Sequence, residues 1–187
     1  MGFLNNIAAR PVWRKFALLL IATGLGTAAA PVSEYQLKAV FLFNFAQFVE
    51  WPATVFPQAN APFVIGVLGK DPFGANLDDI VRGETVNKRP LIVKRFRDVA
   101  DVRDCQILFI PATELGHLDA ILTALRGRSI LTVTDVNETA QRGVVIGLIT
   151  QDSKIRLRID VEAAKAANLT ISSKLLRPAE IVGTARS

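Results

Sequence analysis

The chain of 187 residues holds one cysteine, one histidine, one methionine and one tyrosine. A lone cysteine excludes an intrachain disulfide. One histidine and one cysteine cannot build a His/Cys metal centre. No glycine-rich turn ends in Gly-Lys-Ser/Thr, so there is no P-loop. No run of Lys and Arg forms the stripe that nucleic acid requires. Long apolar runs are also missing from the aromatic-rich stretch Ser33 to Pro52. Its longest is Ala39 to Phe43, far short of the roughly 20 residues that cross a bilayer. His117 falls on the polar side of an expected helix and reads as a surface residue. Cys105 has no base beside it in the sequence, and folding would have to bring His117 to it. The residues therefore argue for a protein that is not an enzyme and needs no cofactor or metal.

The first thirty residues differ from the rest. Arg10, Arg14 and Lys15 precede an uncharged stretch from Phe16 to Leu25, then Gly26-Thr27-Ala28-Ala29-Ala30. That order is a secretory signal peptide, with an apolar core too short to anchor. Cleavage after Ala28 or Ala29 is expected, giving a leader of residues 1–29. The whole chain carries a formal charge of +5 and a pI of about 9.7. Without the leader's three basic residues, 19 basic side chains face 17 acidic ones, a charge of +2. About 158 residues remain, enough for one domain that buries roughly two-thirds of its unfolded surface. A free cysteine in an exported chain is either buried or pairs between chains. Cys105 opens the apolar run CQILFI, which favours burial.

The stretch SEYQLKAVFLFNFAQFVEWP, Ser33 to Pro52, organises the rest. Ser33 with Gln36 predicts a capping box, and Pro52 ends the helix near Glu50. Leu37, Ala39, Phe41, Leu42, Phe45, Ala46, Phe48 and Val49 share one broad arc. Val40, Phe43 and Trp51 intrude on the polar side, so this helix needs cover on most sides, from its own sheet or a second chain.

Downstream, apolar runs alternate with helical patterns. Strands are expected at 63–68, 90–95, 105–110, 129–134, 144–150 and 154–160, the last two as a hairpin around Gln151-Asp152-Ser153. Helical segments are expected after Asp71-Pro72, from Thr113 to Gly127, over 138–142, over 161–168 and after Ser172. This predicts one α/β domain over 33–182, a central five- or six-stranded mixed sheet with helices on both faces. The Tyr35–Glu50 helix should be the most buried.

Three features carry competing readings. Gly69-Lys70-Asp71-Pro72-Phe73-Gly74 could present N–H groups to an anion, but Asp71 as N-cap would repel one. Asp71 and Asp135 each follow an apolar strand. They read as helix caps, or alternatively as a carboxylate pair for a metal or for acid–base work. Lys154, Arg156 and Arg158 share one side of the last long strand. They are a solvated face or the meeting place of an anionic or protein partner.

Tyr35-Gln36-Leu37-Lys38-Ala39-Val40-Phe41-Leu42-Phe43-Asn44-Phe45 with Phe48-Val49-Glu50-Trp51-Pro52 resembles the opening signature of the YfiR family. Gly66 to Gly74, Cys105 to Ile110, Ile130 to Asp135 and Leu169 to Leu176 are similar to further family stretches, in order and spacing. The resemblance implies a periplasmic α/β protein, often a dimer. It implies binding to the periplasmic sensory domain of an inner-membrane diguanylate cyclase. The cyclase is thereby repressed, and cyclic-di-GMP, exopolysaccharide and biofilm are held low. Many members carry a cysteine near Gly66 able to bond the one matching Cys105; here Cys105 stands alone. Gly147 and Leu157-Arg158-Ile159-Asp160 also depart from the family's asparagine and Phe-Glu-Ile-Asn-like ending. Arg156, Arg158, Leu175 and Leu176 are the expected partner contacts, with Leu175 and Leu176 equally readable as core. The other reading is a periplasmic small-molecule binding protein or sensor, using strand-end loops at Gly69–Gly74 and Asp135–Glu138. Neither reading involves nucleic acid or membrane insertion.

Overall fold

The computed structural model describes residues 33–58, 60–136 and 143–183. The expected leader, and the expected helical turn over 138–142, lie outside the described residues. Helix α1 (Glu34–Phe48) begins at the capping box: Ser33 Oγ accepts from Gln36 N at 3.2 Å, and Ser33 N donates to Gln36 Oε1 at 2.7 Å. It stops two residues before the expected end. Val49–Glu50 forms strand β1, which pairs antiparallel with β9 (Thr170–Ile171), far along the chain.

The remaining strands are β2 (Phe63–Leu68), β3 (Thr85–Val86), β4 (Arg89–Phe96), β5 (Ile107–Ile110), β6 (Leu131–Thr134), β7 (Ile146–Gln151), β8 (Lys154–Asp160) and β10 (Glu180–Val182). They form one sheet in the order β10-β8-β7-β6-β5-β2-β4-β3. The sheet thus has eight strands, not five or six. The two additional edge strands are two and three residues long, too short to show a period of two. β4, β2, β5, β6 and β7 are mutually parallel. β8 returns antiparallel beside β7, and β10 runs parallel to β8 at the edge.

The continuous apolar strands are explained by cover on both faces. Phe63, Ile65 and Val67 of β2 join Ile107 and Phe109 of β5 in one core. That core is closed by Leu42 and Phe45 of α1, Leu77 of α2 (Ala75–Val81), Ala164 of α4 (Val161–Ala166) and Leu175 of α5 (Ser173–Leu176). The alternate residues Val64, Leu68, Leu108 and Ile110 face a second core with Leu118 and Ile121 of α3 (Leu118–Ala124). No residue of β7 or β8 belongs to this second core.

Two helix starts differ from expectation. α2 begins at Gly74 (φ 55°), with no side-chain cap; Asp71 instead closes a turn onto Phe73 N and pairs with Arg95. α3 follows a 3-10 turn over Ala112–His117, so Thr113 caps nothing. α4 and α5 start as expected, with Asp160 accepting from Ala163 N (2.8 Å) and Ser172 from Lys174 N (3.3 Å).

Candidate partner-binding surface

In the parallel part of the sheet, β2 leads by way of α2 to β4 on one side. β5, β6 and β7 follow on the other side. Ligands in such sheets collect where the order reverses, at strand carboxyl ends. Here that place lies between β2 and β5, and it is occupied by the protein's own groups. Glu114's carboxylate rests on Gly69, where a Cβ would lie. An acid there repels phosphate, against the anion reading of Gly69–Gly74.

Asp71 and Asp135 do not act as a pair. Asp71 Oδ1 accepts from Phe73 N at 2.7 Å, and Oδ2 accepts from Arg95 Nε at 2.9 Å. Arg95 also holds Asp78 and donates to Gly74 O at 3.1 Å, so it fastens the loop before α2 to the end of β4. Asp135 Oδ2 receives Lys38 Nζ at 3.0 Å and the Tyr35 hydroxyl at 2.9 Å. Lys38 is only 2% exposed and bridges Asp135 to Glu34, and Glu34 Oε1 accepts from Thr150 Oγ1 at 2.7 Å. The first turn of α1 is thereby bolted over the ends of β6 and β7. Hydrogen bonding from Lys38, then from Thr150, lowers the Glu34 pKa. Burial, then the bond to Asp135, pushes the Tyr35 phenol up to about 12. The composition gave no hint of Lys38's role. Its spacing to Leu42 and Phe45, both buried, was the available signal.

Cys105 is buried, and its thiol donates to Ile107 O at 3.0 Å. Desolvation pushes its pKa up to about 12, the opposite of an activated nucleophile. His117 is exposed at the start of α3. A Cβ built on Gly66 would fall 2.8 Å from Cys105 Sγ, so these two positions are side-chain neighbours. It would also press on Phe96 at 2.7 Å and Leu108 at 3.0 Å. No group of three or more His, Cys, Asp or Glu among the described residues could hold a metal ion.

The expected contact residues occupy three environments. Arg156 is exposed on β8 beside Ile149 of β7. Arg158 is half-buried, with its Nε 2.9 Å from Glu180 Oε2 of β10. Leu175 is buried in the first core, and Leu176 packs on it half-buried. Leu175 therefore anchors α5 and presents no contact surface. Lys154, Arg156 and Arg158 point away from the first core, at the end of the sheet where the second core does not extend. Absence of helix cover there is why polar side chains alternate along β8. At Gly147, opposite Arg158, an added Cβ would meet only ordinary contacts, the nearest at 3.4 Å, so packing does not require glycine.

No described helix is long and apolar enough to cross a membrane. A search of curated proteins found no match. The family model described as YfiR/HmsC-like matches residues 35–180. The match runs from Tyr35, whose hydroxyl reaches Asp135, to Glu180, which holds Arg158, and so takes in α1 and the sheet through the start of β10. With most of its length matched in this way, the chain belongs to the YfiR/HmsC-like family.

Proposed function

We propose that this protein is a periplasmic regulator that acts by contact, binding the sensory domain of an inner-membrane diguanylate cyclase and holding its output low. The observation that carries this reading is the family match over 35–180. The Arg/Lys–apolar–alanine order of residues 10–30 supports export. A protein outside the membrane can lower a cytoplasmic messenger only through a partner that spans it. Repression then means binding one state of that partner better than another. Moving the partner from 99:1 active to 1:99 takes about 5.5 kcal/mol of differential binding. A standard-sized interface with a few buried anchors supplies that.

The contact face we assign is the polar side of β8, with Lys154 and Arg156 at its centre and Arg158 held beside them by Glu180. Leu176, half-buried against the first core, is a separate candidate contact in the same proposal. An acidic patch on the partner complements this face. The test is cyclic-di-GMP and biofilm in a deletion strain. Deletion should raise both, and the wild-type chain should restore them. Lys154→Glu with Arg156→Glu should fold normally and fail to restore. Unchanged cyclic-di-GMP on deletion would sink the repressor reading. Full repression by the folded double variant would move the contact elsewhere.

A further inference from the structure

At the opposite end of the sheet, a crevice of about 480 Å³ opens between the end of α3 and α4, beside the amino ends of β6 and β7. Its walls are apolar: Leu122 and Leu125 from α3, Val145 before β7, and Ala163 and Ala166 from α4. Two arginines line it, Arg126 and Arg128, both on the turn that follows α3. Across from them stands a single acid, Glu162, which already receives Lys165 Nζ at 2.9 Å. The charge left to the crevice is positive.

Arginines just past a helix end also complement its carbonyls. That accounts for their presence, but not for an apolar cleft beside them. A cleft with hydrophobic walls and a few charged groups at one side is the usual form of a small-molecule site. Guanidinium groups favour carboxylate and other planar or tetrahedral oxyanions, which they grip through paired N–H groups. We propose that this crevice binds a small amphipathic anion, with its carboxylate or sulfonate on Arg126 and Arg128 and its apolar body against Leu122, Leu125 and Val145. This site lies away from the Lys154–Arg156 face and does not depend on the regulatory reading.

The experiment is calorimetric titration of the full chain with three probes of matched length: sodium decanoate, decanol and decyltrimethylammonium. Decanoate should bind at one site per chain, at least tenfold tighter than the alcohol, with the cation weakest. Arg126→Ala with Arg128→Ala should remove the preference for decanoate over decanol. Ala166→Trp, which fills the crevice from its exposed wall, should weaken decanoate and decanol alike. Unfolding curves for each variant separate loss of the site from loss of the fold. The proposal is overturned by equal binding of the three probes, by many weak sites per chain, or by decanoate binding that survives both variants.

Discussion

A lysine 2% exposed is buried at tolerable cost only because carboxylates meet it, and Asp135 with Glu34 does so. Asp135 is nearly as enclosed, at 5% side-chain exposure. Lys38→Met therefore removes the cation from a buried carboxylate that keeps the Tyr35 hydroxyl. Urea unfolding should show a loss of about 3–5 kcal/mol, with much of it restored by adding Asp135→Asn. A loss near zero would mean that water reaches Asp135. The same cluster offers a clean optical readout, since Tyr35 is the only tyrosine. Its phenol titrates near 10 when unfolded and is raised to about 12 in the fold. A raised acid pKa means the fold holds the neutral form. Its contribution is complete below pH 10 and is lost as pH climbs from 10 toward 12. Phenolate absorbance should appear late and together with alkaline unfolding; a native midpoint near 10 would contradict the burial. Nothing in residue type announced this cluster. Lysine argues for exposure, and Asp135 after an apolar strand looks like a cap.

Elements were legible where local chemistry decides them and obscure where distant partners do. The start of α1 followed from Ser33 and Gln36 alone, because the capping box closes within four residues. Ser33→Ala should lower stability by about 1 kcal/mol, read as an earlier thermal midpoint. An unchanged midpoint would show that the helix start is held from the Lys38–Asp135 side instead. The end of α1 was not legible, because Val49 and Glu50 are drawn into pairing by Thr170 and Ile171. Asp71-Pro72 had the form of an N-cap and first helical residue. The Asp71 carboxylate instead divides between Phe73 N and Arg95, more than twenty positions away, and α2 waits for Gly74. The β7–β8 hairpin was readable because Asp152 and Ser153 adopt the left-handed turn that polar residues tolerate. Of the contact residues, Arg156 behaves as its place in an alternating strand requires. Leu175 shows that a leucine in the last described helix can still be core.

For the whole molecule, the alternation of apolar runs and helical segments was enough to give an α/β sheet covered on both faces. It was not enough to give its width, because β3 and β10 are defined by neighbours and not by their own pattern. β2 stands third from one edge of the sheet, and at the other edge the last rung, β8 to β10, joins segments about twenty residues apart. The small ladder of β1 and β9 does something different. It ties the residues just after α1 to the stretch between α4 and α5, and Ser172 N adds a bond to Phe48 O at 2.9 Å. The front and the back of the described chain are thus one mechanical joint. Local opening there cannot free one side alone. In native-state hydrogen exchange, the amides of 49–50 and of 170–172 should exchange as a single cooperative unit, with one opening free energy and one denaturant dependence. A rearward segment that exchanges freely while residues 49–50 remain protected would show the joint to be loose. If it holds, any event that peels back the described chain from Thr170 onward is felt at the end of α1, and that segment becomes a handle on the helix around which the domain is built.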